Sequence, residues 1–552
     1  MRLALSLFAL AAALFAQAQE NSGVIAGVVR DASTGQPVAN AKVWANRGAF
    51  GATPGTYVSG IETVTGADGR YAFRSFPPGR HRLDVSAWLD SGDLAVVERY
   101  VRLEAGQELA SVDFALARMA SISGRVLDHN GEPVPKTWVF LIGREYSLGT
   151  LRSSYRKFAE TNDLGEYTLN LVWPGRSYLV VAAEKRMKVD AVSPAPGKRE
   201  LRKPAIMHTF YPGTPAVEGA QPWVPRSGEQ REGVDIVLLR GPSYCVSGAL
   251  RGAGGRGPLR FILEPRRLEQ SSSRGTVVQL HGVTGPDGRI RICGLPSGEF
   301  RLTAYAQPAD WAIPPDFFGS GPVDIGDDDV EDLTLIAQPK MEVPGETAWE
   351  GGAPESLPPP AIRVWLNPIG RASFSQERSA FEAKRPVPGT FTIPQVLLGE
   401  YEVELRDVPD EAYVKDILYG GQSIRHQPLR VGSAIGNASL RIVLGLDGGT
   451  VAVRAADREG KPAADVHIVL LPDAALTEAA LADSLATGLA DQMGYWMSGR
   501  LAPGKYHVLA VRAPINKSPE RIGQLLRSRS RAKEVEVGPK AEVQVTVEPA
   551  EP

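Results

Sequence analysis

Cysteine is nearly absent from this chain of 552 residues, which has only Cys245 and Cys293. That scarcity excludes a cysteine-rich zinc scaffold and a small domain knitted by several disulfides. Histidine is also sparse. His81, His129, His208, His281, His426, His467 and His507 form no H-x-x-E, H-E-x-x-H or H-x-H arrangement, so a zinc hydrolase has no support. There is no G-x-S-x-G elbow, P-loop or dinucleotide fingerprint, and no cofactor is expected. Net charge is nearly absent too. The formal value of −2 provides no long-range field for nucleic acid or anionic lipid.

Long apolar runs are missing beyond the N-terminus, so no transmembrane segment is expected in the mature chain. The N-terminus itself reads as a signal peptide over residues 1–18. Arg2 is the positive end, LALSLFALAAALF the apolar stretch, and Ala16-Gln17-Ala18 the cleavage site, with cutting after Ala18. The mature protein is therefore expected in the periplasm, on the cell surface or secreted. Such a compartment permits a disulfide. Cys245 and Cys293 both fall in the third repeat described below, and a bridge between them is expected, with two buried free thiols as the alternative.

What the chain does have is turns. Gly (58) and Pro (43) are plentiful without being low-complexity. Two glycines ten residues apart recur five times, as Gly69/Gly79, Gly165/Gly175, Gly288/Gly298, Gly389/Gly399 and Gly494/Gly504. Between them run GRYAFRSFPPG, GEYTLNLVWPG, GRIRICGLPSG, GTFTIPQVLLG and GYWMSGRLAPG, and a further strand starts just after. A turn glycine, alternating bulky residues and a second turn together make a hairpin signature, and both glycines of every pair are expected in turns. One bulky side chain recurs two residues past the first glycine, as Tyr71, Tyr167, Ile290, Phe391 and Trp496. Successive first glycines are 96, 123, 101 and 105 residues apart, each close to the size of one small β-sandwich.

The unit openings repeat as well. VIAGVVRDASTGQPVANAKVWA, SISGRVLDHNGEPVPKTWVFLI and GTVAVRAADREGKPAADVHIVLL each place a Gly-x-Pro turn between alternating strands. The expected fold is therefore all-β: a tandem array of about five small antiparallel Greek-key β-sandwich domains, with minor helices in the last. The expected units are 19–118, 119–242 (with a long 185–232 insertion), 243–339, 340–446 and 447–552. The last unit should carry two short helices, over 474–489 and over 518–533, the second with Ser518 as N-cap and Pro519 in the first turn.

Other clusters are weaker signals. Asp327, Asp328, Asp329, Glu331 and Asp332 could gather calcium, but the spacing matches no EF-hand and a solvated turn is expected. Arg521, Arg527, Arg529, Arg531 and Lys533 read as a solvated helix face. Among nine tryptophans, Trp223 and Trp311 lie in Pro-rich loops and are the candidates for stacking on a sugar.

The strand–G-x-P-V–strand opening and the T-x-x-D-G-x-Y-x-F…P-P-G hairpin resemble the carboxypeptidase regulatory-like domain. The first unit carries the pattern most fully, through Gly35, Pro37, Val38, Thr65, Asp68, Gly69, Tyr71, Phe73, Pro77, Pro78 and Gly79. The resemblance implies a transthyretin-like (prealbumin-like) sandwich related to starch-binding-like folds. It implies no catalytic residue, because the module serves as a folding, spacer or binding appendage. The expected role is that of an exported, non-catalytic structural or binding protein, with cell-envelope proteins or polysaccharide as partners. Glycan recognition through exposed aromatics is the first alternative. A hydrolase with a site near the 185–232 arm is the second.

Overall fold

The computed structural model describes residues 22–47, 60–88, 94–184, 204–252, 259–265, 280–306, 317–350, 362–369, 389–406, 408–409, 411–432, 438–464, 466–513 and 515–550. The N-terminal segment with Ala18, the first part of the 185–232 insertion, and Trp311 lie outside them.

The described chain is a tandem array of β-sandwiches, each with its own apolar core. The cores run from Ile25 to Leu116, Ala120 to Leu238, Val246 to Ala337, Val343 to Leu444 and Val451 to Val547. One topology recurs. The expected glycine hairpins do not form: the strand between the two glycines pairs antiparallel with the opening strand, as Arg70–Phe76 does with Gly23–Asp31 and Tyr495–Met497 with Thr450–Ala455, whereas the strand after the second glycine pairs elsewhere, as Gly79–Trp88 does with Lys42–Arg47 and Gly504–Val511 with His467–Pro472. The closing strand returns to lie parallel on the other side of the opening strand, as Phe114–Leu116 does on Gly23–Asp31, Val330–Pro339 on Tyr244–Gly252, and Glu542–Val547 on Thr450–Ala455. The third and fourth units thus carry one parallel pairing each, and the first, second and fifth two each, in an otherwise antiparallel design.

The first glycine of each pair sits where the two sequence motifs meet. Gly69 has φ +73°, and a Cβ there would lie 2.6 Å from the Val29 carbonyl and 2.9 Å from Pro37. Gly165 repeats this against Val126 and Pro133. The turn at the first glycine therefore packs onto the Gly-x-Pro turn, which is why both appear together and why a side chain is excluded at the contact. Gly288, Gly389 and Gly494 also have positive φ, as expected of turn residues.

The second glycines need a correction. Only Gly175 lies in a turn. Gly79, Gly298, Gly399 and Gly504 are instead the first residues of the strands Gly79–Trp88, Gly298–Tyr305, Gly399–Arg406 and Gly504–Val511. Each is already in a ladder, opposite Leu103, Ile325, Val431 and Val537 respectively. The reversal is completed one residue earlier, at the bends on Pro78, Ser297, Leu398 and Pro503. Gly298, Gly399 and Gly504 enter their strands at φ +148°, +148° and +155°. That conformation is nearly confined to glycine, so the letter recurs although the residue is not in the turn.

Thr65, Thr161 and Thr284 staple the corner of the first glycine: each hydroxyl accepts the amide of Ala41, Thr137 or Leu259. Tyr71 and Tyr167, two of the recurring bulky residues, donate from buried hydroxyls to the carbonyls of Val112 and Val234, at 2.7 Å each.

Two further devices repeat. A glycine in the opening strand (Gly27, Gly124, Gly248) lets the closing segment approach so closely that a Cβ would fall 2.0–2.1 Å from its carbonyl. A bulge also recurs near the end of the strand between the paired glycines, with Ser75, Leu171, Gly294 and Gln395 all at positive φ. Its side chains share nothing, so no common letter marks it.

The units differ on the outer face of the second sheet. In the first sandwich the strand Lys42–Arg47 alternates, with Val43 and Ala45 buried and Lys42 and Trp44 exposed. In the second, Thr137–Ser147 is buried on both faces. Phe140 and Ile142 point outward and are covered by Phe210 and Val217 of the insertion. In the third, Ile262 is covered by Leu397 of the next sandwich. In the fifth, Val469 and Leu471 lie beneath two helices, α1 (Glu478–Ser484) and α2 (Pro519–Ser528), through Leu481, Ile522 and Leu525. The Ser518 side chain caps α2 at the Arg521 amide, with Pro519 in its first turn. The helix expected over 474–489 is shorter, because Ala486–Leu489 pairs as a strand with His467–Leu470.

Candidate functional site

Two places bring sequence-distant residues together. The first is a clasp between the second and fifth sandwiches. Strands Thr137–Ser147 and Thr150–Glu160 are joined by Leu148-Gly149, both at positive φ, as a tight type I′ hairpin turn requires. That turn aims two amides outward. The Leu148 amide donates to Asp483 Oδ1 at 3.0 Å, and the Gly149 amide donates to Asp483 Oδ2. The Tyr146 hydroxyl donates to Glu478 Oε2 at 2.6 Å, and the Tyr146 amide donates to the Lys517 carbonyl at 2.8 Å. The Asn516 side-chain amide donates to the Gly175 carbonyl at 3.0 Å. Burial, and then the bond to Glu478, push the Tyr146 phenol up to about 12. Asp483 lies in the last turn of α1, where the helix dipole disfavours an acid by about 0.3–1 kcal/mol. The two amides of the hairpin tip offset that cost. The fourth sandwich reaches the same tip, since a Cβ on Gly149 would lie 3.0 Å from the His426 carbonyl.

The second place is a cleft of about 460 Å³ between the second and third sandwiches. The insertion lines one side with Met207, His208, Phe210 and Pro215. The third sandwich supplies Pro265, Pro296, Glu299 and Asp324. His208 is half-buried, and desolvation holds its imidazole down at about 4. No hydrogen bond joins it to a carboxylate among the described residues, and no described group of three His, Cys, Asp or Glu side chains could hold a metal ion. A histidine–carboxylate contact does occur elsewhere. His507 Nε2 lies 2.8 Å from Asp473 Oδ1, which also receives Arg529 at 2.6 Å. This set ties α2 to the sheet and has no nucleophile beside it among the described contacts.

The single-residue candidates fare differently. Trp223 is buried at 4% exposure, packs on Tyr178 and donates from its indole to Glu229 at 2.9 Å. This corrects the stacking expectation, because a ring enclosed in the second core offers no face to a sugar. Among the described residues the exposed tryptophans are instead Trp44 and Trp173, the latter beneath the Arg176 guanidinium. Cys245 and Cys293 are bonded across neighbouring strands, with Cα atoms 4.0 Å apart at the bulge beside Gly294. Asp329 of the acidic run accepts the Cys245 amide at 3.0 Å, so part of that run anchors the strand. The clasp escapes sequence reading because its residues are individually ordinary. Its one signal is a short S-L-G-T tip between two long strands.

Comparison with known proteins adds the following. Residues 24–117 match the family described as the carboxypeptidase regulatory-like domain. No curated protein matches the chain. Among solved structures, a streptococcal ancillary pilin is 11% identical, with 56% of this chain and 99% of that one covered and a TM-score of 0.18. The Bacillus anthracis TIE protein is 10% identical, covering 77% and 73%, with a TM-score of 0.15. BcpA, the major pilin subunit of Bacillus cereus, is 10% identical, covering 78% and 99%, with a TM-score of 0.14. These scores are too low to bear on how the sandwiches are arranged or used. The first sandwich is thus similar in sequence to the carboxypeptidase regulatory-like domain, and the whole chain is built as a series of β-sandwiches.

Proposed function

We propose that the chain is an exported, non-catalytic β-sandwich array with a structural role in the cell envelope or outside the cell. The observation that carries this reading is the clasp. Tyr146, Leu148 and Gly149 are held by Glu478, Asp483 and Lys517 across more than 330 residues of chain. Specific charged and dipolar contacts between remote units suit a protein whose task is to keep a set shape. The unit boundaries that accompany this reading are 19–118, 119–242, 243–339, 340–446 and 447–552, with cleavage after Ala18. The hydrolase alternative needed a histidine engaged with a carboxylate in the arm cleft, and His208 makes no such contact there. Fractionation of the native host with in-cell crosslinking tests the proposal. The expected result is a processed chain starting at residue 19, crosslinked to envelope components. An unprocessed cytoplasmic chain would overturn it.

A further inference from the structure

Each sandwich is loaded in shear when its two ends are pulled apart. The opening and closing strands of a unit lie side by side and parallel, so the chain enters at one end of that ladder and leaves at the other. Tension along the array slides the two strands past each other, and their hydrogen bonds share the load and fail together. The ladder is longest in the last three units. It covers 246–252 of the opening strand in the third, 345–349 in the fourth and Thr450–Ala455 in the fifth. In the first and second it covers only 29–31 and 126–127, where a further short parallel strand adds 24–25 and 121–122.

The clasp is built differently. It joins the second unit to the fifth at separate points: Asp483 on the Leu148 and Gly149 amides, Glu478 on the Tyr146 hydroxyl, and Asn516 on the Gly175 carbonyl. One backbone bond, from the Tyr146 amide to the Lys517 carbonyl, accompanies them. The Gly149 bond is exposed, so water can replace it as it breaks. Both halves belong to elements anchored in their own units. The tip closes two long paired strands of the second sandwich, and α1 and α2 rest on the fifth through Leu481 and Ile522. The clasp can therefore part while both sandwiches stay folded. The third and fourth sandwiches lie between its halves along the chain. While it is shut, their length adds nothing to the reach of the array.

We propose that the array bears tension, with the clasp as a catch that gives way before any sandwich unfolds and lets out the folded third and fourth units. This use rests on the structural role proposed above. The catch can close again, because the two intervening sandwiches tether the tip near α1 and keep its effective concentration high.

Optical tweezers test this on the full chain held by its two ends. The first event on stretching is expected to be a step below about 10 nm, set by two folded sandwiches of about 4 nm each, and to reverse on relaxation. Unfolding a sandwich instead lets out about 30 nm from roughly 100 residues, and about half that in the third, where the Cys245–Cys293 bond keeps a loop closed. Asp483→Ala, with an unchanged circular dichroism spectrum, should remove the short step or lower its force. Tyr146→Phe loses only the bond to Glu478 and should lower that force less; it decides the matter if Asp483→Ala alters the spectrum. A first event of the long class, or a short step at unchanged force in a folded variant, would overturn the proposal. Neither outcome bears on export or envelope location, which fractionation decides separately.

Discussion

The first and fifth sandwiches share a glycine-bounded strand, a Gly-x-Pro turn and a topology, yet their outer sheets face different surroundings. Lys42–Arg47 alternates and shows one face to water, whereas His467–Pro472 is apolar on both faces and lies under α1 and α2. The difference teaches what the additions are for. A sheet apolar on both sides needs a second cover. The array supplies it three ways: an insertion over the second sandwich, a neighbour over the third, and helices over the fifth. The core machinery is common, and individuality lies in the cover.

The sharpest way to break this comparison is to strip a cover. Leu481→Ala with Ile522→Ala should cost the fifth sandwich about 5 kcal/mol in all, read as faster hydrogen exchange in 467–472 and 504–511. Exchange there as slow as in the parent would mean the helices are ornament. Phe210→Ala should cost the second sandwich about 3 kcal/mol by the same measurement, with the first sandwich unchanged.

Acid sharpens the contrast. His467 lies on the covered face, where burial first and then Arg521 hold it down at about 4. A histidine depressed below its unfolded value stabilises fully above about 6.5, and that contribution is lost as pH falls towards 4. The first sandwich has a different weak point. Burial alone would raise Asp31, but its bonds to Ser33 and Arg118 outweigh this and bring it to about 2. That depressed carboxyl contributes about 2 kcal/mol above pH ~4, lost as pH falls through 2. Acid titration followed by hydrogen exchange should therefore loosen the fifth sandwich before the first, and the reverse order would contradict the assignment.

Smaller effects test the edges. Asp483→Ala leaves the Leu148 and Gly149 amides unanswered and should weaken the second–fifth contact by about 1–3 kcal/mol, visible as a larger radius in X-ray scattering. Trp44→Thr, on the uncovered face, should change stability by no more than about 0.5 kcal/mol in urea unfolding.

Much of the fold is legible because turns leave local marks. Gly69 and Gly165 need positive φ and a bare backbone, so their letters repeat. The Thr65 staple and the Tyr71 hydroxyl bond leave repeating letters for the same reason. The second glycines mislead by one residue. Gly399 and Gly504 carry the letter of a turn but the pairing of a strand, and only the ladder tells the two apart. The covers are harder to read. V-F-L-I at 139–142 has no alternation, so it announces burial without saying what buries it. Trp223 misleads because proline-rich surroundings look exposed in one dimension, although the segment folds back onto its own core. The clasp depends on meetings more than 330 residues apart, which no local pattern records.

The clasp also has a schedule. The tip at Tyr146–Gly149 leaves the ribosome well before its partner Asp483, which follows 334 residues later. At ordinary elongation rates that is roughly 17–70 s of synthesis before Asp483 can meet the tip. The tip of the second sandwich is thus answered by a unit made much later, and a chain cut short before α1 would leave its Leu148 and Gly149 amides without Asp483.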